Sequence, residues 1–370
     1  MRLTGVLVML ESFEVDTSFG SYKVKVGQGL HSKLQPKKHA MYLVDDYHLR
    51  GLKLPMESLI AIPALESSKN LDYMSSIIEK MRELGANRDT HVYAIGGGII
   101  QDITTFVTSI YMRGLSWSYF PSTLLSMADS CIGGKSSINV RGYKNLIGNI
   151  YPPNEVFVDM DFCKTLGPDE IIGGLAEAVK ICYARGPEVF EQYLQLDPLY
   201  PLIGENGVKV IFSALLAKKW FIEIDEFDRS ERLLLNYGHT FGHALEASSN
   251  FEIAHGVAVA LGMIVAIEYA SLAAGLNGVG KDNSQRLGFY LQRLLSPLKV
   301  EIKAALQKID MNTVFAKFEG DKKHRHTEYR MVIPSSEGGL VLFSSPKNNQ
   351  TRSLIQKAYQ QAFSVNDFLG

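Results

Sequence analysis

The order of apolar and polar positions predicts alternating strands and helices in the first half of the chain. Residues 19–29 alternate polar and apolar side chains, which is typical of a strand with one exposed face. Short apolar runs at 39–45, 58–63 and 91–95 predict buried strands, and 70–84 has the spacing of an amphipathic helix. Short strands that alternate with helices predict a doubly wound α/β domain built on a parallel sheet.

The pattern changes along the chain and divides it in two. A last buried strand is predicted at 156–159, and the chain is mainly helical from Pro168 onward. We therefore predict a Rossmann-like α/β domain over residues 1–166 and an α-helical domain over residues 167–370. The segment 351–370 predicts a terminal helix.

Three histidines fall within one otherwise apolar segment, 233–268. His239 and His243 are four residues apart, so a helix places both imidazoles on one face, one turn apart. His255 begins a second apolar run, and the residues 248–252 between the runs predict a short connection between two helices. Such a set is typical of a divalent-metal site, with packed core histidines as the alternative.

Composition and charge indicate the number of domains, the kinds of partner and the cellular compartment to expect. A chain of 370 residues has room for two domains, and a net charge of −1 without a long basic run argues against nucleic acid or an acidic membrane as a partner. The three cysteines show no CxxC spacing, which indicates a reducing compartment. The apolar run at the N-terminus is too short for a signal peptide core, and the apolar stretch 257–274 carries Glu268, which fits a buried helix. These features predict a soluble cytoplasmic protein.

Glycines and polar side chains form two candidate phosphate-binding segments. Glycines 96–98 follow a predicted strand and precede a helix, where bare backbone and a helix N-terminus favour phosphate. This run is not the GxGxxG fingerprint and does not by itself identify a standard dinucleotide fold. The segment 120–145 contains several hydroxyl side chains and glycines close in sequence to Lys135, Lys144 and Asn145. This composition favours a phosphate-binding segment over a solvated loop.

The helical half supplies a carboxylate in apolar surroundings. Glu177 and Lys180 are three residues apart and share one helix face. A surface ion pair is the alternative. Apolar neighbours favour burial, however, and a buried carboxylate needs a partner or a metal. We therefore take Glu177 as a third metal ligand with His239 and His255.

Nine segments together resemble one known family. They are GGGIIQD, YMRG, PSTLL, GGKSSIN, KNLIG, GLAEAVK, DEFDRSERLLLNYGHTFGHALE, AHG and GDKK. Their order and spacing are similar to those of the 3-dehydroquinate synthases, which belong to the sugar phosphate cyclases. The resemblance implies that family's fold, which is related to the folds of glycerol dehydrogenases and iron-dependent alcohol dehydrogenases.

The resemblance also implies an activity. Such an enzyme converts 3-deoxy-arabino-heptulosonate 7-phosphate, a seven-carbon sugar acid phosphate, into a carbocycle with loss of phosphate. The reaction proceeds by transient oxidation by NAD, β-elimination, re-reduction and intramolecular aldol closure. NAD and a divalent metal, zinc or cobalt, are the implied cofactors. A homodimer is implied, in which Arg113 reaches the active site of the neighbouring subunit.

Matching the family's motifs assigns roles residue by residue. The implied metal ligands are Glu177, His239 and His255. The implied NAD contacts are Asp45, Glu66, Lys69, Gly97, Gly98, Asp102, Ser122, Thr123, Asp129, Lys144, Thr165 and Leu166. The implied catalytic and substrate-binding residues are Arg113, Asp129, Lys135, Asn145, Lys180, Lys218, Arg232, Asn236, His243 and Lys322.

The sequence also departs from the family pattern. Gln101 stands where glycine is common, Thr104 and Thr105 replace Ala-Gly, and Val257 replaces a glutamate, so a carboxylate near the metal ligands is lost. These departures favour, as an alternative, a cyclase of secondary metabolism such as an amino-dehydroquinate synthase or a sedoheptulose 7-phosphate cyclase. Arg232 favours an acid substrate, because a guanidinium grips a carboxylate with two hydrogen bonds. A metal-dependent alcohol dehydrogenase and a non-catalytic binding protein are the remaining alternatives.

Overall fold

The structure, a computed structural model, contains a seven-stranded sheet and two separate hairpins. It describes residues 10–33, 36–202 and 204–364. The strands are β1 (Glu11–Thr17), β2 (Gly20–Gly27), β3 (Ala40–Asp45), β4 (Leu59–Ile62), β5 (His91–Gly96), β6 (Ser116–Pro121), β7 (Ile138–Val140), β8 (Tyr143–Ile147), β9 (Glu155–Asp159), β10 (Glu328–Pro334) and β11 (Leu340–Pro346). The sheet has the order β1-β2-β9-β6-β5-β3-β4, in which only the β1–β2 pair is antiparallel. The hairpins pair β7 with β8 and β10 with β11.

The predicted parallel sheet is confirmed. All six residues of β5 are buried, as expected of a central parallel strand covered on both faces. The other predicted strands are present as β2, β3, β4 and β9. Sequence patterning did not identify β1, β6 or either hairpin.

Helices account for most of the rest of the chain. They are α1 (Leu71–Glu83), α2 (Gly98–Ile110), α3 (Pro168–Arg185), α4 (Pro187–Gln195), α5 (Gly204–Ile224), α6 (His239–Ser248), α7 (His255–Ala274), α8 (Gly278–Leu295), α9 (Lys299–Gln307), α10 (Met311–Glu319) and α11 (Asn349–Ser364). The amphipathic helix predicted at 70–84 is α1, and the Asn70 side chain caps it by accepting a hydrogen bond from the Tyr73 N–H at 2.9 Å. The predicted helix pair around 248–252 is α6 and α7. The terminal helix α11 ends at Ser364, and the predicted remainder, 365–370, lies outside the described residues.

The chain divides into two compact units. They are Met1–Leu166 with Ile203–Leu215, and Gly167–Leu202 with Leu216–Gly370. The first segment of the first unit ends at Leu166, and residues 203–215 belong to that unit as well. There Phe212 on α5 packs edge-on against Phe13 of β1, with ring centroids 5.7 Å apart. The apolar N-terminal run considered as a signal sequence lies mostly outside the described residues.

Helix α7 forms the centre of the second unit. It packs against α3, α6 and α11, and its residues Val257–Ala266 are all buried. Among the described residues it is the one helix whose length and composition alone would suffice to cross a membrane, and 67% of that stretch is buried within the protein. This agrees with the buried helix predicted for the same stretch. Cys131, Cys163 and Cys182 are all buried, and none of the three forms a disulfide bond within the described part of the chain.

Candidate functional site

Three helices of the second unit bring together the carboxylate and two of the histidines selected from the sequence. Glu177 lies on α3, His239 begins α6 and His255 begins α7. The Nε2 atom of His239 is 3.6 Å from Glu177 Oε1, and the Nε2 atom of His255 is 3.7 Å from the same oxygen. Ligands bound at 2.0–2.2 Å in a tetrahedron lie about 3.4 Å apart. The spacing of these donor atoms therefore fits a single tetrahedral ion.

Glycine explains how α3 and α7 approach closely enough for this. A Cβ atom on Gly256 would lie 2.4 Å from the Cα atom of Gly173, so the two backbones are in contact. Gly173 is one helical turn before Glu177, and Gly256 directly follows His255. The contact between the two glycines therefore sets the separation of Glu177 and His255.

Close backbone contacts at glycines also bring α6 and α7 together. A Cβ atom on Gly242 would lie 2.5 Å from the carbonyl oxygen of Ala258, and one on Gly262 would lie 2.1 Å from the carbonyl oxygen of Gly238. Gly238 has a φ of 76°, a left-handed conformation that glycine adopts without strain, and it directly precedes the first residue of α6. The position of His239 is thus also set by backbone contacts.

The second nitrogen of each imidazole faces an acceptor. His239 Nδ1 is 3.3 Å from the Tyr237 carbonyl oxygen, and His255 Nδ1 is 3.1 Å from Glu246 Oε2. We assign the proton of each neutral ring to Nδ1, which leaves the Nε2 lone pairs directed at the Glu177 carboxylate. Three electron-pair donors that face one another need a shared cation, so the chemistry of this set fits a divalent metal.

Glu246 corrects one expectation from the sequence. Val257 stands where the family has a glutamate, and this replacement predicted that a carboxylate beside the ligands is lost. In the structure the Glu246 side chain reaches His255 from α6 instead. A carboxylate that accepts a hydrogen bond from a ligating imidazole fixes the ring orientation and raises its basicity.

Lys180 balances the buried carboxylate. Glu177 and Lys180 are each 1% exposed, and Lys180 Nζ forms an ion pair with Glu177 Oε2. The predicted burial of this pair is confirmed. Burial and the Lys180 charge hold the pKa of His239 well below its usual value. Burial alone would lower the pKa of His255, but the hydrogen bond to Glu246 and the charge of Glu177 raise it.

His243 completes a triangle of imidazoles. Its ring centroid is 5.2 Å from that of His239 and 5.4 Å from that of His255. The three rings can present nitrogen atoms within 4.8 Å of one another, so they form an alternative three-histidine set. Burial and the Lys323 charge lower the pKa of His243 to about 4. Lys323 is therefore part of the electrostatic environment of the histidines, whereas the sequence had pointed to its exposed neighbour Lys322.

Arg232 lies in a short 3-10 helix, Glu231–Asn236, and the Asp225 carboxylate binds the backbone that leads into it. The Asp225 carboxylate accepts hydrogen bonds from the backbone N–H groups of Arg229, Ser230 and Arg232 at 2.8–3.1 Å. Burial opposes ionisation of Asp225, but these hydrogen bonds lower its pKa. Arg232 is 5% exposed, and its guanidinium donates from Nη1 to the Glu226 carbonyl oxygen at 2.7 Å. Two other predicted residues of this unit are Lys218, which is buried, and Asn236, whose amide donates to the Leu233 carbonyl oxygen.

The first unit places the glycine turn at the carboxyl edge of its sheet. A Cβ atom on Gly96 would lie 2.3 Å from Ile100 Cγ1 and 3.2 Å from Asp45 Cβ. A Cβ atom on Gly97 would lie 3.1 Å from Thr123 Cγ2. Asp45, the turn and Thr123 are therefore neighbours, at the edge where doubly wound sheets bind ligands.

A network around Lys69 lies in the same unit. Lys69 Nζ donates to Asp102 Oδ2 at 3.1 Å and to Asn145 Oδ1 at 3.0 Å. Glu66 Oε1 is 3.9 Å from Lys69 Nζ and accepts a hydrogen bond from Asn139 Nδ2 at 2.8 Å. Asn139 Oδ1 in turn accepts from the Asn145 backbone N–H at 2.8 Å. Four residues assigned separately from the sequence thus form one network, and Asn139 links them.

The other predicted residues of the first unit lie in turns and short strands. Arg113 is exposed in a turn where Met112 and Arg113 have φ values of 49° and 73°, a conformation that costs about 1–2 kcal/mol per residue without a glycine. Ser122 donates its N–H to the Gly96 carbonyl oxygen. The remaining residues are Asp129 in a π-helical turn, Lys135 in a β-bridge with Ile150, Lys144 in β8, and Thr165 and Leu166 after β9.

Three contributing residues escaped sequence analysis: Glu246, Asn139 and Lys323. Glu246 follows His243 by three residues on an apolar helix, a spacing that could have identified it. Asn139 lies in β7, where it forms hydrogen bonds with Glu66 and with Asn145 of β8. No sequence pattern predicted the β7–β8 hairpin. Lys323 adjoins a predicted residue, and only the folded turn distinguishes the two lysines.

Comparisons with known proteins agree on one family. A family profile described as "3-dehydroquinate synthase N-terminal" matches residues 59–173, and one described as "3-dehydroquinate synthase C-terminal" matches residues 174–324. A 3-dehydroquinate synthase of Sulfurovum sp. (strain NBC37-1) is 33% identical over 320 residues, which cover 85% of this chain and 88% of the relative. One from Sulfurisphaera tokodaii is 32% identical over 324 residues, covering 85% and 90%.

Solved structures show the same fold at lower identity. A 2-deoxy-scyllo-inosose synthase complexed with carbaglucose-6-phosphate, NAD+ and Co2+ aligns with a TM-score of 0.77, at 21% identity, over 95% of this chain and 99% of the other. A 2-epi-5-epi-valiolone synthase from Streptomyces hygroscopicus subsp. jinggangensis 5008, with NAD+ and Zn2+ bound, aligns with a TM-score of 0.72 and 22% identity, covering 92% and 97%. These likenesses establish the α/β fold with a mainly helical second part.

Proposed function

Since the chain belongs to the 3-dehydroquinate synthase family, we propose that it converts 3-deoxy-arabino-heptulosonate 7-phosphate into 3-dehydroquinate with loss of phosphate. One observation carries the proposal: two imidazole Nε2 atoms lie 3.6 and 3.7 Å from one buried carboxylate oxygen. A non-catalytic relative would have no need to keep such a costly buried set.

We assign a divalent metal, zinc or cobalt, to Glu177, His239 and His255, and NAD to the first unit. When bound, the metal would acidify a substrate hydroxyl and NAD would take up and return a hydride. Lys180 forms an ion pair with the second oxygen of Glu177 and thereby offsets part of the cost of burying that carboxylate. Glu246 keeps the His255 ring oriented through its Nδ1 atom.

The proposed NAD contacts divide into two groups in the first unit. Asp45 and the glycine turn form one group at the carboxyl edge of the sheet, where bare backbone can approach a pyrophosphate. Glu66, Lys69 and Asp102 form the other group, in which the Lys69 ammonium is paired with both carboxylates. Asn145, which we assign to the substrate, accepts a hydrogen bond from Lys69. The remaining proposed NAD contacts are Ser122, Thr123, Asp129, Lys144, Thr165 and Leu166, and Lys135 is assigned to the substrate.

The acid substrate is favoured by Arg232. Its guanidinium is held rigid by the Asp225 loop and the Glu226 carbonyl, so it is preorganised for a carboxylate. Lys218, Asn236 and His243 share the second unit with it, and Lys322 adds a further cation for the phosphate or carboxylate. A neutral sugar phosphate would leave the Arg232 charge without an anionic partner.

A phosphate-release assay tests the activity. The protein is incubated with the seven-carbon acid, NAD and zinc or cobalt, with and without a chelator. We expect phosphate release that the chelator stops, dehydroquinate as product, and no net NADH. Release only from the amino analogue or from sedoheptulose 7-phosphate would assign one of the variant cyclases, and net NADH from a simple alcohol would assign a dehydrogenase.

An Arg232→Ala variant tests the carboxylate assignment. Loss of a charged hydrogen-bonding partner predicts that kcat/KM for the acid substrate falls about 10- to 100-fold. Arg229→Ala is the matched control, because that guanidinium lies on the same loop but stacks over Phe227, 5.6 Å from its ring centroid. An unchanged kcat/KM in the Arg232 variant would remove the argument for an acid substrate.

We also propose a homodimer in which Arg113 acts in the neighbouring active site. The turn that presents this exposed side chain has two consecutive non-glycine residues in the left-handed region, and such strain is typical of functional positions. Co-expression of Arg113→Ala with His239→Ala chains tests the arrangement. Mixed dimers would regain one intact site and hence activity, whereas an Arg113 that acted within its own subunit would give inactive mixtures.

A further inference from the structure

Gln101 is a buried glutamine whose amide nitrogen and amide oxygen both form hydrogen bonds with one other residue, Ser130. It lies in the first turns of α2 and is 3% exposed. Its Nε2 donates to the Ser130 carbonyl oxygen at 2.6 Å, and the Ser130 hydroxyl donates to its Oε1 at 2.6 Å. Glutamine is rarely buried to this extent, so this pair of reciprocal bonds needs an explanation.

The pair joins two segments that carry proposed NAD contacts. The Gln101 backbone N–H donates to the Gly97 carbonyl oxygen at 3.1 Å, so the backbone of this residue is tied to the glycine turn. Ser130 ends the π-helical turn Ser126–Ser130, which contains Asp129. A Cβ atom on Gly98 would lie 4.0 Å from Ser130 Oγ, so the serine adjoins the glycine turn itself.

The hydrogen bonds between Gln101 and Ser130 support the π-helical turn Ser126–Ser130. Such turns are rare, less stable than α-helix, and concentrated at functional sites. Here the Cys131 N–H reaches back five residues to the Ser126 carbonyl oxygen at 3.0 Å, and the Ser130 carbonyl is taken by Gln101 instead of by the helix. The Gln101 amide therefore fixes the end of the turn that follows Asp129.

We propose that Gln101 is a positioning residue for the dinucleotide: its bonds to Ser130 hold the glycine turn and Asp129 at a fixed separation. The inference rests on the proposed function, which assigns NAD to these two segments. It goes beyond the family pattern, because Gln101 occupies a position where the family commonly has glycine. A glycine there would leave the Ser130 carbonyl and hydroxyl without this partner.

Calorimetric titration of the metal-loaded protein with NAD tests the proposal. Gln101→Leu keeps most of the buried volume but removes both hydrogen bonds, and we expect the Kd for NAD to rise about tenfold. Ser130→Ala removes one bond and should raise the Kd by less. The double variant should resemble Gln101→Leu alone, because both substitutions remove the same interaction. Thr108→Val, a buried polar position on the same helix, is the control and should leave the Kd unchanged.

Each outcome has a distinct meaning. A raised Kd, with a Tm within a few degrees of the wild type and a KM for the sugar phosphate that changes less than twofold, supports a positioning role. A Kd within twofold of the wild type in both single variants overturns it, whatever happens to the Tm. If Gln101→Leu fails to fold, Ser130→Ala decides alone. Failure of the wild-type protein to bind NAD would instead contradict the proposed function.

Discussion

Glu246 Oε2 lies 3.1 Å from Nδ1 of His255. The two residues stand on different helices, α6 and α7, and the contact directs the opposite ring nitrogen of His255 at Glu177. Glu246 thus supports the candidate metal site through His255, although it is not itself a proposed metal ligand. Carboxylates in this position commonly raise metal affinity 10- to 100-fold.

Replacing this carboxylate should weaken metal binding without removing a proposed ligand. We expect Glu246→Ala to lower zinc affinity about 10- to 100-fold, and Glu246→Gln to lower it less because an amide oxygen still accepts from Nδ1. Competition with a chromophoric chelator measures the affinity. Glu268→Gln is the control, since Glu268 lies about 20 Å further along α7. Equal affinities for the Glu246 and Glu268 variants would contradict the role of Glu246.

Two histidine variants distinguish the alternative ligand sets. We expect His239→Ala to lose both bound metal and turnover while the fold is kept, because it removes a ligand from the Glu177 set. His243→Ala should retain one metal per chain and lose turnover, because we assign its ring to the substrate and not to the metal. Elemental analysis after dialysis gives the metal content, and circular dichroism gives the fold.

The opposite result for metal content would favour the alternative ligand set of three imidazoles. Metal loss in His243→Ala together with metal retention in a Glu177→Gln variant would assign the ion to His239, His243 and His255. Full activity in His239→Ala would remove the metal assignment altogether.

Asp102 predicts a pH dependence of stability in the first unit. Burial raises its pKa to about 6, although the Lys69 charge and the hydrogen bonds from Lys69 and the Ser137 N–H oppose this. An unfolded aspartate has a pKa of about 3.9, so between about pH 4 and 6 the folded state binds more protons than the unfolded state. The contribution of Asp102 to stability is therefore greatest below pH 4 and decreases as the pH rises through 6, by at most about 3 kcal/mol.

Urea unfolding of the wild type and of Asp102→Asn between pH 4 and 7 measures this effect. Trp117 is buried in the first unit, and a Trp220→Phe background leaves it as the single tryptophan reporter. We expect the free energy of unfolding of the wild type to fall with pH relative to that of the asparagine variant. A constant difference between the two would show that Asp102 has no raised pKa.

Two buried hydroxyls on α2 predict stabilising substitutions. Thr104 and Thr105 are fully buried, and within the described part of the chain their Oγ1 atoms have no hydrogen-bond partner. Burying an unsatisfied hydroxyl costs about 1–3 kcal/mol. Thr104→Val and Thr105→Val should therefore each raise the free energy of unfolding by about 1 kcal/mol, as measured by urea titration.

Thr108→Val is the matched control for these substitutions. Its Oγ1 donates to the Thr104 carbonyl oxygen at 2.6 Å, so the substitution removes a hydrogen bond and should give no gain. A loss of stability in the Thr104 and Thr105 variants would mean that their hydroxyls are satisfied in solution, for example by buried water.

The sequence predicted β3, β5 and β9, in which most residues are buried, but it missed β6, in which five of six residues are buried. A continuous apolar run such as 91–95 is typical of a strand in a parallel sheet that is covered on both faces. The sequence also did not predict β1 or the β10–β11 hairpin, because half-exposed strands give a weaker signal, and the hairpin lies among helices. The grouping of 203–215 with the first unit depends on contacts such as that of Phe212 with Phe13, which are distant in sequence.

For the candidate site, residue types and their spacing were sufficient to find the central groups. Glu177 and His255 were recognisable because charged and imidazole side chains are unusual in apolar helices. Glu246 was not, since its contact depends on how α6 and α7 cross. The bridging role of Asn139 likewise depends on the fold of the β7–β8 hairpin.

The contact between Gly173 and Gly256 has a consequence for the choice of ion. Side chains can rotate to follow an ion, but α3 and α7 already touch through their backbones, so the two helices cannot approach further to shorten the Glu177–His255 spacing. A larger cation, such as calcium with bonds of 2.3–2.6 Å, would require the side chains or the helices to move apart. Discrimination between ions of different radius is therefore a property of the helix crossing as much as of the ligand atoms.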